Sequence, residues 1–330
     1  MPPLQVSEIM NLIEARNICK IFELGRLVRR KIVAVENVSF SIPNDKPLIL
    51  TLAGESGSGK TTTARMILGF IKPTSGEILY KNKNIWHMSK DEWTKFHRDV
   101  QAIFQDPYGS FNPLRKVDRI LTVPIRKFKL ASSKDEEQEL IAKALANVGL
   151  ETSKVLGKYP HELSGGQRQR IMLARAFLIK PKLIVADEPV SMIDASLRAN
   201  ILNTMVDLKK KLGISFLYIT HDLSTARYIS DEIIIMYLGN ITEMGPIDDV
   251  VLKPLHPYVK LLVDSVPKPN PDERWREKIE LPRTELSKQA IQMKGCKFYS
   301  RCPERMDKCL KEKPKLIKVH RKLVACHLYA

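Results

Sequence analysis

The pattern of apolar and polar positions across residues 12–42 predicts a β-rich region. It comprises LIEARNICKIF and KIVAVENVSFSI, where Val33, Val35, Val38 and Phe40 point to a partly buried strand region. The short apolar run PLILTLAG at 47–54 ends on glycine and predicts a buried strand feeding a turn. A helix is predicted from about Thr61 to Phe70, broken by PTSG at 73–76. From about Asp106 to Arg175 the rhythm becomes helical. KDEEQELIAKALANVGL at 134–150 sets Leu140, Ala144 and Val148 on one face, with Gly149 near its end. KLIVADE at 182–188 and ISFLYITHD at 214–222 predict two further buried strands. DEIIIMYLGNITEMG at 231–245 predicts two short strands joined at Gly239–Asn240. Strands that alternate with helices predict an α/β chain with a mainly parallel sheet between helices. Near Pro246 the composition changes: prolines crowd 254–284 and a lysine-rich segment with cysteines follows, predicting a partly irregular C-terminal extension.

Composition narrows the class. The 330 residues are 44% hydrophobic and 28% charged, ordinary for a soluble globular protein. No run of 18 apolar residues is present, and MPPLQVSEIMNLIEARN lacks a basic stretch followed by an apolar one, so neither a membrane span nor a secretory leader is expected. Any membrane role would then require docking through partner proteins. The net charge of +17 is uneven, since 251–330 hold 19 Lys and Arg against 9 Asp and Glu. Such a tail suits nucleic acid, an anionic lipid surface, compensation for a bound anionic group, or simply a solvated basic surface.

Of five cysteines, Cys19 sits in a strand-like apolar run and is expected to be a small core residue. Cys296, Cys302, Cys309 and Cys326 are separated by five, six and sixteen residues. Without a secretion signal, clustered cysteines read as metal ligands rather than disulfides. Four thiolates so placed could hold Zn²⁺ or an iron–sulfur cluster. Structural zinc prefers closer cysteine pairs, and the wider gaps suit a larger object. Lys294, Lys297, Lys308 and Lys311 would offset its negative charge.

The segment GESGSGKT at 54–61 satisfies G-x-x-x-x-G-K-[ST] between a predicted strand and a predicted helix, the context that makes it a phosphate-binding loop. Gly57 and Gly59 let successive backbone N–H groups converge on phosphate oxygens, with Ser56, Ser58 and Thr62 in the same cradle. The helix N-terminus adds positive charge. Lys60 is placed to reach the β- and γ-phosphates, and the Thr61 hydroxyl to ligate Mg²⁺. In KLIVADE, Asp187 is a second Mg²⁺ ligand, through water, and Glu188 can polarise the attacking water.

LSGGQRQR at 163–170, with Ser164 lying 23 residues before Asp187, resembles the signature segment of ABC-type ATPases. Ser164 can cap a helix, Gly165 and Gly166 permit close approach, and Gln167 follows at the same helix N-terminus. The resemblance implies that this segment completes the ATP site of a neighbouring subunit, so that ATP closes a dimer. It also implies roles for Gln105 in FQDP, contacting Mg²⁺ and water beside the membrane partner; for Asp194 in SMID; for His221 in THD, sensing the γ-phosphate; and for Phe22, stacking on adenine. It covers roughly 10–245 and implies a P-loop NTPase core with a β-rich N-terminal subdomain, a helical subdomain at about 106–175, and a cysteine-containing extension at 246–330. Met192 and Ile193 stand where relatives usually have Ala-Leu, keeping the apolar character.

FQDPYGSFNP at 104–113, HPYVKLLVDSVP at 256–267 and the terminal cysteines resemble the oligopeptide/dipeptide importer branch. Gln167 and LAR at 173–175 are similar to the second of the two ATPases that such importers pair as a heterodimer. The resemblance implies two permease subunits, an extracytoplasmic solute-binding protein, peripheral placement at the cytoplasmic side of the cell membrane, and a [4Fe–4S] cluster on the four cysteines. The solute would be a short peptide or, in related systems, an oligosaccharide. An ABC-type ATPase acting on nucleic acid or ribosomes is the competing reading. A single cassette without a coiled-coil insertion argues against it, and no nucleic-acid partner is expected.

Overall fold

Described in the computed structural model are residues 10–24, 30–104, 109, 111–266 and 294–330. In chain order the elements are β1 (Asn11–Leu24), β2 (Arg30–Pro43), β3 (Ile49–Ala53), α1 (Lys60–Ile67), β4 (Ser75–Tyr80), β5 (Lys83–Asn84), α2 (Lys90–Asp99), β6 (Val100–Ile103), α3 (Asp118–Phe128), α4 (Lys134–Ala146), α5 (Thr152–Val155), α6 (Gly165–Leu178), β7 (Leu183–Asp187), α7 (Ala195–Leu212), β8 (Ser215–Thr220), α8 (Leu223–Ile229), β9 (Glu232–Tyr237), β10 (Asn240–Pro246), α9 (Ile247–Leu252), α10 (Pro257–Asp264), β11 (Ile317–Val319) and β12 (Lys322–Val324). They gather into two compact units. One comprises the described residues of 10–13, 42–49 and 79–219, and the other those of 14–41, 50–78 and 220–330.

In the first unit, β8, β7 and β6 pair in that order, all parallel, with Leu183 opposite both Val100 and Ser215. Every residue of β7 and β8 is buried, which is why these segments read as continuous apolar runs rather than alternating ones. The helical stretch α3 to α6 packs on itself, α6 lying against both α3 and α4. On α4 the buried residues are Ile141, Ala144 and Leu145, continued by Val148, while Leu140 is only half-buried. The predicted stripe followed one edge of an apolar arc wide enough to meet two neighbours.

In the second unit, β2, β1 and β4 lie side by side, and a second set of strands runs β11–β12–β10–β9–β3. β3 and β9 are parallel, with Leu50 opposite Glu232 and Ala53 opposite Ile235. The remaining pairs of that set are antiparallel. The β11–β12 hairpin, which the sequence reading left irregular, extends β10 through Glu243 opposite Val324. A buried ion pair fixes this register: Lys322 Nζ lies 2.8 Å from Glu243 Oε1, and the carboxylate also accepts the N–H groups of Leu255 and His256. Removing either partner would strand a buried charge. Cys19 is not a core residue. It is half-buried in β1, and its sulfur accepts the Asn37 N–H at 3.1 Å.

Candidate active site

Glycine lets the chain leave β3 and double back into α1. Gly59 has φ 101°, in the left-handed region, and a Cβ there would collide with the Ala34 carbonyl, so no other residue fits without moving β2. No side chain caps α1, so its leading N–H groups face the loop. The Lys60 ammonium lies inside the curve, donating to the carbonyls of Gly54 and Glu55, each at 2.8 Å, and to Ser58 Oγ at 3.2 Å. Lys60 is only 8% exposed and Ser58 is buried, whereas Ser56, Gly57 and Thr61 line the open side. A buried cation on loop carbonyls beside uncapped helix amides is a receptor for polyphosphate.

The turn after β7 forms a second constellation. Asp187 closes the strand and is buried. Glu188 follows with φ 47°, a left-handed conformation that a non-glycine residue holds only when its surroundings impose it. Its N–H donates to the Ile219 carbonyl at 2.9 Å, and its own carbonyl accepts Gln169 Nε2 at 3.1 Å and Ser191 Oγ at 3.0 Å. Gln169 is 1% exposed, and its Oε1 accepts the Met192 N–H at 3.2 Å. Gln169 therefore ties the signature helix to both ends of the Glu188–Met192 turn. Gln169 stands within LSGGQRQR, but no motif position in the sequence marks it as a site residue.

Ser164 caps α6 in a reciprocal box with Gln167: Ser164 Oγ accepts the Gln167 N–H at 3.2 Å, and Gln167 Oε1 accepts the Ser164 N–H at 2.9 Å. Gly165 opens the helix, and a Cβ on Gly166 would sit 3.2 Å from the Met192 carbonyl. Asp194 is exposed at the start of α7, with Arg170 within electrostatic reach. In the SMID turn Ile193 is buried and Met192 exposed.

Of the remaining candidates, Gln105 lies outside the described residues. His221 is exposed immediately after β8, and Asp222 beside it caps α8 through Ser224 N–H at 2.8 Å. Phe22 is 37% exposed near the end of β1, with the Lys20 ammonium 5.3 Å from its ring centre, so it is a surface aromatic rather than a core one.

The four terminal cysteines sit in the second unit and interact. Burial pushes the Cys296 thiol up to about 11, and the nearby Cys309, Cys302 and Cys326 push in the same direction. Burial likewise raises Cys302 and Cys326. Against that, a backbone hydrogen bond from the residue two positions on favours the thiolate at each: Phe298 for Cys296, Glu304 for Cys302, Leu328 for Cys326. Among the described residues, no group of three or more His, Cys, Asp or Glu is gathered as the ligands of a single metal ion. The expected four-cysteine centre is thus present as a neighbourhood of thiols, not as an assembled ligand set.

Residues 35–191 match the family described as ABC transporter, and residues 242–309 match the C-terminal region of oligopeptide/dipeptide transporters. The chain is 40% identical over 277 residues to the oligopeptide transport ATP-binding protein OppF of Salmonella typhimurium, covering 84% of this chain and 83% of that one. It is 40% identical over 297 residues to the dipeptide transport ATP-binding protein DppF of Escherichia coli, covering 90% and 87%. With AppF of Bacillus subtilis, an oligopeptide transport ATP-binding protein, it shares 39% over 326 residues, covering 97% and 98%. Among solved structures, a dimeric ATP-binding cassette in a post-hydrolysis state bound to ADP and Pi is similar at a TM-score of 0.64. The two share 29% identity, over 71% of this chain and 98% of that one.

Proposed function

Because the chain belongs to the ATP-binding subunits of oligopeptide and dipeptide ABC transporters, we propose that it is the ATP-hydrolysing motor of a peptide importer. The observation that carries this reading is the phosphate loop: a buried lysine held inside the curve, against an uncapped helix N-terminus. Lys60 and the backbone from Ser56 to Thr62 hold the phosphates, Thr61 and Asp187 hold Mg²⁺, and Phe22 stacks on the adenine. Glu188 polarises the attacking water, His221 senses the γ-phosphate, and Gln105 contacts the metal and the water. Ser164, Gly165, Gly166, Gln167 and Asp194 serve the nucleotide of a paired ATPase. The ATPase core spans 10–245, with its helical subdomain at about 106–175, and the extension 246–330.

The partners in this reading are that second ATPase, two permeases and an extracytoplasmic solute-binding protein. In this reading the subunit docks peripherally on the cytoplasmic side; among the described residues no helix is long and apolar enough to cross a membrane. The test is Glu188→Gln in the assembled transporter. Nucleotide binding persists, ATP turnover falls by about a hundredfold or more, and closed dimers accumulate. Turnover at the wild-type rate refutes the assignment of Glu188.

The reading includes a [4Fe–4S] cluster on Cys296, Cys302, Cys309 and Cys326, with zinc as the alternative. What supports this reading is the neighbourhood of four thiols within electrostatic reach, three of them with a backbone hydrogen bond that favours the thiolate. Bound there, a cluster would cross-link the cysteine segments, a structural contribution. Anaerobically purified full-length protein should contain about four iron atoms per chain and absorb broadly near ~400 nm. Stoichiometric zinc without iron decides for the alternative.

A further inference from the structure

The phosphate loop carries one acidic side chain, Glu55, and each polar group of that residue is held. Its carbonyl accepts the Lys60 ammonium at 2.8 Å. Its N–H donates to the Tyr258 hydroxyl at 2.9 Å. Its carboxylate receives the two terminal nitrogens of Arg301 at 2.9 and 3.0 Å. Tyr258 is the second residue of α10 and Arg301 precedes Cys302; they stand 203 and 246 residues from Glu55 in sequence, within the same compact unit.

Exposed ion pairs contribute little, because water screens them and both side chains must be immobilised. This pair differs. The Glu55 side chain is 42% exposed, but the Arg301 side chain is only 17% exposed, with its guanidinium 5.6 Å from the Phe298 ring centre and 5.7 Å from that of Tyr237. Those rings pack with Tyr258 into one cluster, at 4.6 Å for Tyr237–Tyr258 and 5.5 Å for Tyr258–Phe298. The fork is thus set in an aromatic frame, and the two-pronged geometry fixes the direction as well as the distance of the carboxylate.

Two consequences follow for a polyphosphate. A loop rich in left-handed glycines loses conformational freedom when it closes on phosphates, and anchoring Glu55 removes part of that cost in advance. A carboxylate in a phosphate loop also repels the ligand, and the guanidinium cancels that repulsion. We propose that Arg301 is a positioning residue for the nucleotide. Through Glu55, and with Tyr258 on the same residue, the cysteine-bearing segment orders the phosphate loop and neutralises its one acid. The proposal rests on nucleotide binding at this loop, and it extends the site to a segment that no motif connects to it.

The test is calorimetric binding of Mg·ADP to the full chain, comparing Arg301→Ala, Glu55→Gln and the double variant. Arg301→Ala should weaken binding about tenfold, since it frees the loop and unmasks the carboxylate. Glu55→Gln with Arg301→Ala should return binding to within about threefold of wild type, because the repulsion goes with the acid. If Arg301→Ala does not fold, Arg301→Met, which keeps the stem on Phe298, carries the same comparison. A purely structural arginine gives a loss that deleting Glu55 does not restore, and that outcome overturns the proposal, as does wild-type binding in Arg301→Ala. Wild-type protein that binds no Mg·ADP would overturn the nucleotide reading itself.

Discussion

The two stretches to which the proposed function assigns the nucleotide chemistry are held by opposite means. The turn from Asp187 to Asp194 is secured from close by in sequence. Gln169, 19 residues before Glu188, bonds the carbonyl that follows the left-handed kink, and Ser191 bonds the same oxygen. The phosphate loop is secured from the far end of the chain by Tyr258 and Arg301. A motif with near supports keeps its geometry wherever its own segment folds. A motif with distant supports is only as ordered as the segment that supplies them. The Asp187–Asp194 turn is in this sense self-contained, whereas the phosphate loop draws its hydrogen bonds from the far end of the chain.

The largest effect separates the two stretches by what they do. Lys60→Ala should weaken Mg·ADP binding about a hundredfold or more, since it removes the buried cation from the loop. Calorimetry on the full chain measures this, and unaltered affinity would break the assignment of binding to that stretch. Next, Gln169→Leu keeps the volume but takes the Gln169 acceptor from the Met192 N–H and leaves the Glu188 carbonyl with Ser191 but without its Gln169 donor. ATP turnover in the assembled transporter should fall about tenfold with Mg·ADP affinity unchanged. A loss of affinity instead would mean that the turn and the loop are not supported independently.

A smaller effect tests the distant support. Cys302 adjoins Arg301, so Cys302→Ser should weaken Mg·ADP binding severalfold in the wild-type chain. The same change should have no effect when Glu55→Gln and Arg301→Met are already present. Equal losses in both backgrounds would show that the cysteine segment does not act through Arg301.

The smallest effect concerns acid stability of the support itself. His256 caps α10, its Nδ1 accepting the Tyr258 N–H at 3.0 Å, and burial lowers its pKa to about 4. In the unfolded chain the value is about 6.5, so the unfolded state takes up the proton first as pH falls. The stability tied to neutral His256 is complete above about pH 6.5 and is lost progressively towards pH 4, at about 1 kcal/mol per unit. Thermal unfolding from pH 7 to 4.5 should show a steeper decline for wild type than for His256→Asn, which keeps a capping oxygen but does not titrate. Identical slopes would remove His256 from the account.

Much of this protein is settled by the sequence. GESGSGKT, KLIVADE and LSGGQRQR are contiguous runs whose residue types stand at fixed spacing, so order and spacing suffice to recognise them. The fully buried strands β3, β7 and β8 are legible for a related reason: a strand covered on both faces must be apolar throughout. HPY shows the boundary within three residues. Pro257 at the first helical position and His256 as its cap are local and readable, whereas the hydroxyl of Tyr258 finishing on Glu55 is not. Only the tertiary structure decided that Arg301 grips the phosphate loop, that β12 lies on β10, and that Leu140 yields the buried face of α4 to Ile141 and Leu145. Local pattern reports which residues seek burial or a partner. Which partner they meet is set by the packing of segments that are not neighbours in sequence, where the contact must repay loop-closure entropy and no periodicity records the outcome.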